Sequence, residues 1–325
     1  MDLKLSVVMS AFNSSEWIEE SIKSVLAQSF KNFEFIIVND GSTDSTSEIL
    51  EKYQKIDNRI IVITKKNTGL TNSLNIGIRK SKTGLILRID SDDISSKKRF
   101  KRQYDYMKYN PQCGLLSGNC IEINQSNNTL FKHTYPNSHD KIIKNLEMGK
   151  NVIPHSAVIF RKDLFNDVGG YRETFKRSQD IDLWLRLSEV AKINSLPGEP
   201  VVSIRKHSSS LTHDEITHFT NMSIISYMIR KSGRQDPVES ENKIIFDEFI
   251  KQYTFGSYNI NKNRVYRSIS LIRRNYKMES IKSLILFINL IFSKYSYIVA
   301  YERLFNVNPY NSLFKKWENK LNDKR

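Results

Sequence analysis

Short, mainly apolar runs alternate with helical patterns along the first 120 residues of the chain. Runs this rich in Val, Ile, Leu and Phe predict strands that are buried on both faces. They are Leu5–Met9, Phe33–Val38, Ile60–Ile63 and Leu85–Ile89. Between them, apolar residues recur at helical spacing in 17–26, Ser45–Tyr53 and Leu70–Arg79. This alternation predicts an α/β fold with a mostly parallel sheet and helices on both faces.

The pattern changes after the first 120 residues. A helix is predicted over Arg99–Asn110, a hairpin from Gly114–Ile123 and Thr129–Tyr135, and strands at Ser156–Arg161 and Val201–Arg205. From Ile216 onward the pattern is almost wholly helical and basic. We therefore expect one domain over residues 1–215, with halves at 1–120 and 121–215, followed by a C-terminal helical segment over 216–325.

The net charge of +15 at pH 7 is concentrated toward the C-terminus. Residues 216–325 hold 19 Lys and Arg against 9 Asp and Glu, whereas residues 1–215 hold 31 against 26. This excess predicts an anionic partner for the C-terminal region more than for the main domain. A non-enzymatic module that binds nucleic acid is one interpretation of it. No nucleic-acid-binding motif supports that interpretation, so we expect no nucleic-acid partner.

The stretch Ser283–Tyr301 is rich in Leu, Ile and Phe, but it is short and interrupted for a membrane-spanning helix. Its polar residues recur at about one helical turn and basic residues precede it, which suits an interfacial helix on an anionic membrane surface. Packing on the main domain, or on a second subunit of a homo-oligomer, explains the pattern equally well. The chain has two cysteines and no signal-peptide layout at its N-terminus. We therefore expect a cytoplasmic protein, peripheral on the inner face of the cell membrane if the interfacial helix forms.

Ligands of open α/β sheets bind at the carboxyl ends of the strands. The first strand ends in Ser10–Asn13, which lacks the Gly-x-Gly-x-x-Gly turn of dinucleotide-binding proteins, and the chain has no Walker loop. The strand ends carry acid instead, with Asp40 after the second strand and Asp90–Asp93 after the fourth. Clustered carboxylates repel one another unless a cation lies among them, and oxygen ligands suit Mg²⁺ or Mn²⁺. A solvated acidic turn that caps a helix near Ser95–Arg99 is the other explanation of this cluster.

Several motifs follow one another in an order typical of one enzyme family. The segments, in chain order, are 6–13, 22–30, 33–44, 67–77, 90–93, 151–155, 160–161, 169–171, 180–187 and 205–207. Together they resemble the family 2 glycosyltransferases, which are inverting enzymes with the Rossmann-like GT-A fold. The resemblance covers about residues 3–212. It implies a glycosyltransferase that makes a bacterial-type surface polysaccharide or a lipid-linked oligosaccharide.

The resemblance also implies roles for individual residues. The residues that bind the nucleotide-sugar donor would be Ser10, Phe12, Asn13, Asp40, Asp90, Arg205 and His207. Among them, Ser10 and Phe12 would flank the nucleobase, and Asp40 would accept a hydrogen bond from the uracil imide N–H. A divalent ion, Mn²⁺ or Mg²⁺, would be held by Asp92, Asp93 and His207. Asp180 falls at the position of the catalytic base. The part of the site that binds the saccharide or lipid-linked acceptor would be lined by His155, Gly170, Tyr171, Gln179 and Trp184.

Most of these residues also have a structural explanation. The alternatives are a turn for Asp40, core packing for Phe12, structural histidines for His155 and His207, and a helix N-cap for Asp180. Two positions depart from the family pattern, since Asn39 and Gln179 stand where acidic residues are frequent. The acidic residues that follow them, at positions 40 and 180, are retained.

The predicted residues suit a single displacement at the sugar C1, which inverts the anomeric centre. A metal ion and Arg or His would stabilise the leaving diphosphate, and one carboxylate would deprotonate the acceptor hydroxyl. An acceptor-only carboxylate at Asp40 favours UDP, and then dTDP, because both bases carry an N3–H donor. A metal-dependent nucleotidyltransferase is the competing enzyme class. It is disfavoured because the first strand end lacks a phosphate-binding loop rich in Gly, Arg or Lys.

Overall fold

The computed structural model describes residues 4–207, 213–240, 243–244, 246–248, 250 and 311–322. The chain divides into two compact units, Met1–Leu211 and Thr212–Arg325. The stretch Ser283–Tyr301, for which the sequence predicts either an interfacial or a packed helix, lies outside the described residues.

A seven-stranded sheet forms the centre of the first unit. Its strands are β1 (Leu5–Ala11), β2 (Phe33–Asn39), β3 (Ile60–Thr64), β4 (Leu85–Arg88), β6 (Cys113–Gly118), β9 (Ile159–Arg161) and β10 (Lys192–Leu196), in the order β10-β6-β9-β4-β1-β2-β3. Strand β9 is antiparallel to its neighbours β4 and β6, whereas every other pair in this sheet is parallel. The predicted α/β class with a mostly parallel sheet is therefore confirmed.

The connections between these strands are mainly helical. They are α1 (Ile18–Leu26), α2 (Thr46–Ile56), α3 (Leu70–Lys80), α4 (Arg99–Tyr109), α5 (His139–Glu147), α6 (Lys162–Asp167) and α7 (Gln179–Val190). Of the apolar positions that predicted α1, Ile18, Ile22 and Val25 are buried. Helices α5 and α6 and strand β10 were not among the predicted elements.

A second sheet holds four short strands. They are β5 (Ile94–Ser95), β7 (Cys120–Ile123), β8 (Thr129–His133) and β11 (Val202–Arg205), in the order β5-β11-β7-β8. Strands β7 and β8 form the predicted hairpin. Strand β11 is parallel to β7 and antiparallel to β5, so it joins the segment after Asp93 to the hairpin.

The prediction of one strand over Gly114–Ile123 is wrong, because the chain passes from one sheet to the other at Asn119. The Asn119 side chain donates to the carbonyl of Gly198 at 2.7 Å and accepts the backbone N–H of Tyr135 at 3.0 Å. These bonds satisfy its polar atoms where the strand breaks. The strand predicted at Ser156–Arg161 is also shorter, since His155–Ala157 is a 3-10 turn that precedes β9.

Parallel pairing brings the carboxyl ends of the first four strands to one edge of the main sheet. Ala11 lies opposite Asn39, and Asn39 lies opposite Thr64. On the other side of β1, the backbone N–H of Ile89 donates to the carbonyl of Val8 at 3.2 Å. The residues that follow these strands therefore lie along one edge of the sheet, as expected for its ligand-binding edge.

Helix α3 packs against this sheet at a glycine. A Cβ atom on Gly77 would lie 2.7 Å from Val8 Cγ1 and 3.3 Å from Val38 Cγ2. Because both valines are fully buried in adjacent strands, little space is available for them to move. Gly77 thus allows α3 to approach β1 and β2 closely, which places the first turn of α3 beside the strand ends.

The second unit contains α8 (His213–Lys231) and, numbered here as α9, the helix Asn311–Asn322. In this unit the rings of Phe246 and Trp317 meet edge to face with centroids 5.0 Å apart. Arg234 and Glu318 form an ion pair with a 2.7 Å N–O distance. Within the described parts of the chain, every helix is too short or too polar to cross a bilayer.

Replacing Gly77 by valine should destabilise the first unit. The added side chain would overpack the contact with Val8, and we expect the free energy of unfolding to fall by about 2 kcal/mol. Chemical denaturation of the variant would measure this loss. Gly84→Val is the matched control, because a Cβ at Gly84 has no heavy atom within 4 Å. Equal losses in the two variants would contradict close packing at Gly77.

Candidate functional site

Asp40 lies at the end of β2, where it holds the loop that leads into α3. Its side chain accepts the backbone N–H of Thr68 on Oδ1 at 2.9 Å and that of Gly69 on Oδ2 at 2.8 Å. The ammonium group of Lys65 also pairs with Oδ1. A carboxylate has about four acceptor positions, so these three bonds leave about one for a further donor. In the turn that follows, Asn39 is the residue whose side chain accepts a backbone hydrogen bond, since its Oδ1 accepts the N–H of Ser42 at 3.1 Å.

The segment after β1 lies beside this loop. Phe12 is 47% exposed, so the alternative that it belongs to the core is wrong. Asn13 has a positive φ of 47° and bridges to the segment after β2. Its N–H donates to Ser42 Oγ at 3.1 Å, and its Oδ1 accepts the N–H of Thr43 at 2.8 Å. Ser10, the third residue predicted here, is partly buried on β1.

The three carboxylates after β4 form a compact cluster. One side-chain oxygen from each of Asp90, Asp92 and Asp93 lies within 4.8 Å of the others. Burial, and then the neighbouring Asp90 and Asp92, raise the pKa of Asp93 to about 8. Burial also raises the pKa of Asp90, against the opposing charge of Arg88. The alternative of a helix-capping turn is wrong, because α4 begins only at Arg99 and Lys98 is its N-cap residue.

Each carboxylate of this cluster has a different partner. Arg88 pairs with both oxygens of Asp90, and Ser156 Oγ donates to Asp90 Oδ2 at 2.9 Å. Asp92 Oδ2 lies 3.0 Å from Nε2 of His207. Asp93 Oδ1 accepts the backbone N–H of Arg205 at 2.9 Å. Crowded carboxylates with an adjacent imidazole fit a hard divalent ion, because a cation would offset their mutual repulsion.

Arg205 is placed differently from the sequence-based prediction. Its side chain is fully buried and donates to Glu20 Oε2 and Asn127 Oδ1, each at 2.7 Å, and to the carbonyl of Asp92 at 3.0 Å. The guanidinium also lies over the ring of Trp17, 4.4 Å from its centroid. In this structure Arg205 joins α1, the hairpin loop and the carboxylate loop. It does not present its guanidinium for contact with a diphosphate.

Asp180 lies in the first turn of α7. The alternative that it is the N-cap is wrong, because Ser178 occupies that position with a left-handed φ of 53°. Asn151 Nδ2 donates to Asp180 Oδ2 at 3.0 Å. Burial raises the pKa of Asp180, while hydrogen bonds from Ile181 and Asn151 and the charge of Arg88 act against this rise. A carboxylate with a raised pKa is a stronger proton acceptor near neutral pH.

The residues predicted for the acceptor side lie mostly below the surface. His155 Nε2 lies 2.7 Å from the Tyr171 hydroxyl, and the His155 ring meets the fully buried Trp184 edge to face. Burial and the charge of Arg88 hold the pKa of His155 well below its usual value. Gln179 is 7% exposed. These residues therefore form a packed layer beneath the site.

A side chain from α3 fixes the backbone at Gly170 and Tyr171. Asn75 Nδ2 donates to the carbonyl of Tyr171 at 2.8 Å, and Asn75 Oδ1 accepts the Tyr171 N–H at 3.1 Å. Gly170 has a φ of +67°, and a Cβ there would lie 3.0 Å from the Phe165 ring. Only glycine fits this position without strain.

Several residues of the site were not predicted from the sequence. They are Trp17, Glu20, Lys65, Arg88, Asn127 and, as a partner of Asp180, Asn151. Arg88 carried a signal, because a charged residue inside an apolar strand needs a buried partner. The others act through contacts between distant segments, which motif spacing does not report.

Comparison with known proteins identifies relatives of this chain. The glycosyl transferase family 2 model matches residues 6–169. The O-antigen biosynthesis glycosyltransferase WbnJ of Escherichia coli is 31% identical over 235 residues, which are 70% of this chain and 88% of that protein. The amylovoran biosynthesis glycosyltransferase AmsE of Erwinia amylovora is 29% identical over 202 residues, 61% of this chain and 72% of that protein.

Solved structures of other proteins share the fold. TarS 1–349 of S. aureus, in complex with UDP-GlcNAc, has a TM-score of 0.58 and 19% identity, over 88% of this chain and 79% of that chain. The mannosyltransferase PcManGT of Pyrobaculum calidifontis, in complex with GDP-Man and Mn²⁺, has a TM-score of 0.54 and 12% identity, over 96% and 83% of the two chains. The fold of the chain is thus GT-A. These relatives favour the glycosyltransferase interpretation over the nucleotidyltransferase and nucleic-acid-binding interpretations.

Replacing Arg205 by methionine should destabilise the first unit. The substitution keeps a long apolar stem but leaves the acceptors on Asp92 and Asn127 without their donor, so we expect a loss of about 2 kcal/mol in the free energy of unfolding. Lys206→Met is the matched control, because the Lys206 side chain is 48% exposed and its change should be within about 0.5 kcal/mol. Chemical denaturation compares the two. An Arg205→Met variant as stable as the control would show that Arg205 does not hold these segments together.

Proposed function

The chain belongs to glycosyl transferase family 2, and we propose that it transfers a sugar from a nucleotide-sugar donor to a hydroxyl group of a saccharide or lipid-linked acceptor. The observation that carries this proposal is the arrangement of carboxylates at the site. Asp40 and the Asp90–Asp93 cluster follow strands whose carboxyl ends share one edge of the sheet. Burial raises the pKa of the Tyr171 hydroxyl, and the charges of Asp180 and Asp90 add to this rise.

Asp40 supports a uracil-containing donor. Its remaining acceptor position can receive the N3–H of uracil or thymine, whereas N3 of cytosine is an acceptor and would be repelled. The exposed Phe12 ring offers a surface on which a base can stack. We therefore propose UDP-sugars as donors, with dTDP-sugars as the second choice. The TarS complex with UDP-GlcNAc shares the fold and is compatible with this choice.

Asp92, Asp93 and His207 are the residues that would hold a divalent ion, Mn²⁺ or Mg²⁺. When bound there, the ion would offset the negative charge that develops on the leaving nucleoside diphosphate. Asp90 is already paired with Arg88 and Ser156, which hold its carboxylate in one orientation. We assign it to donor binding. Arg205 contributes by holding the loop that carries Asp92 and Asp93.

Asp180 is the proposed general base. Its carboxylate would accept the proton of the acceptor hydroxyl while the hydroxyl oxygen bonds to the sugar C1 and the C1–phosphate bond breaks. A single displacement of this kind inverts the anomeric centre. The neighbouring Gln179 is neutral, so it adds no like charge beside the base.

The acceptor belongs to surface polysaccharide synthesis in this proposal. WbnJ and AmsE, the relatives compared above, are named for the biosynthesis of O-antigen and amylovoran. Lipid-linked acceptors lie on membranes, and the +10 charge of residues 216–325 would attract the chain to the anionic inner face of the cell membrane.

Donor binding should depend on both the base and the divalent ion. With Mn²⁺ present, we expect UDP to raise the melting temperature of the protein more than CDP does, and excess chelator to remove the difference. In Asp92→Asn, adding Mn²⁺ should increase the UDP-induced shift of the melting temperature less than it does in the wild type, because the variant lacks a charged ligand. Asp105→Asn, an exposed carboxylate paired with Lys101 on α4, is the control for loss of one charge. Equal protection by UDP and CDP would contradict the role of Asp40, and full protection in chelator would contradict the metal site.

Removing the proton acceptor at Asp180 should abolish most of the transfer. We expect Asp180→Asn to lower the transfer rate by about 10²-fold or more, the scale of losing a general base. Donor binding, measured by the UDP-induced thermal shift, should remain. Glu189→Gln loses the same charge at an exposed position of α7 and should transfer sugar normally. Near-normal transfer by Asp180→Asn would overturn this assignment.

A further inference from the structure

We propose that Asn151 is a positioning residue for the general base, holding one carboxylate oxygen of Asp180 so that the other faces the acceptor hydroxyl. This inference rests on the proposed function, because it requires Asp180 to accept the proton. The motif segments identify the region of Asn151 without giving it a role.

A direct hydrogen bond joins the side chains of Asn151 and Asp180. Asn151 Nδ2 donates to Asp180 Oδ2 at 3.0 Å. The two residues are brought together from segments 29 positions apart in the chain. A hydrogen bond to an ionised carboxylate is stronger than one between neutral groups, so this contact can fix the orientation of the Asp180 side chain.

The orientation of the Asn151 amide is itself fixed by a hydrogen bond. Its Oδ1 accepts the backbone N–H of Ile153 at 3.1 Å. Ile153 is fully buried, which anchors that N–H. With Oδ1 engaged there, the amide presents its N–H group, a donor, to Asp180. The reverse orientation would set two oxygen acceptors against each other and leave the Ile153 N–H without this partner.

The helix that carries Asp180 is firmly packed. Residues 181–187 of α7, which follow Asp180, are buried, including Ile181 and Leu183. Asp182 in the same turn pairs with Arg186, whose guanidinium also donates to the carbonyl of Gly170 at 2.8 Å. The backbone of Asp180 is therefore fixed, and the rotation of its side chain is the main freedom left. Asn151 removes that freedom.

The charges around Asp180 explain why a neutral partner suits it. The charge of Arg88 on β4 stabilises the ionised Asp180, and the Tyr171 hydroxyl interacts electrostatically with the Asp180 carboxylate. A cation in place of Asn151 would lower the pKa of Asp180 and weaken it as a base. An amide orients the carboxylate while changing its charge environment less. Loss of the amide should raise the pKa of Asp180, because its hydrogen bond favours the ionised form.

The test is the pH dependence of transfer in Asn151→Ala and Asn151→Asp. The base acts when deprotonated, so a raised pKa moves the acid limb of the kcat profile to higher pH. We expect this shift in Asn151→Ala, with kcat at neutral pH lowered by about tenfold, the scale of one hydrogen bond to a charged group. Asn151→Asp should shift the limb further, because it adds a like charge. The KM for the donor should stay unchanged in both.

Asn145→Ala is the matched control, since the Asn145 amide donates to the carbonyl of Lys141 on the neighbouring helix α5 at 2.7 Å. It should leave the profile unmoved. An acid limb in Asn151→Ala that coincides with wild type overturns the inference, whatever the rate. Asn151 is exposed, so both variants should fold. Normal transfer by Asp180→Asn would instead overturn the proposed function, and the two failures are thus distinguishable.

Discussion

The site depends on the electrostatic balance at the carboxyl end of β4. Three carboxylates crowd together there, and buried arginines hold the surrounding backbone in place. Arg88 pairs with Asp90, while Arg99 donates to the carbonyl of Arg88 at 2.8 Å. Burial lowers the pKa of Arg99 to about 9. Guanidinium groups suit this task because each presents several donors in a rigid fork and satisfies more than one acceptor.

The same principle extends to the loops around the cluster. Arg205 donates to acceptors on three separate segments, and Arg186 joins α7 to the turn at Gly170. Each of these arginines is buried, so its bonds are hardly exposed to competition from water. The loops of the site therefore have fixed positions although they lie outside the sheets. Asp40 also holds a loop in place, but as an acceptor, since its carboxylate accepts backbone N–H groups from the loop before α3.

The sequence predicted the first half of the fold well because its strands are buried on both faces. Leu5–Met9 and Phe33–Val38 lie inside β1 and β2, and the strands that precede the acidic residues are parallel, so their carboxyl ends share one edge. The later strands were harder to predict. Strand β10 lacks an apolar run, because Lys192, Asn194 and Ser195 are polar, and the break at Asn119 depends on bonds to residues far along the chain. Among site residues, the position of Arg205 could not be predicted, because a motif does not tell whether a guanidinium faces a ligand or the protein.

Asn75 takes the place of a missing neighbouring strand. Its amide gives the backbone of Tyr171 one donor and one acceptor, the pair of bonds that an adjacent peptide group would supply in a sheet. The segment at Gly170 and Tyr171 is therefore held in register without belonging to any strand. The alignment of this segment therefore depends on the amide of one side chain, whereas the alignment of a strand is shared among several peptide groups.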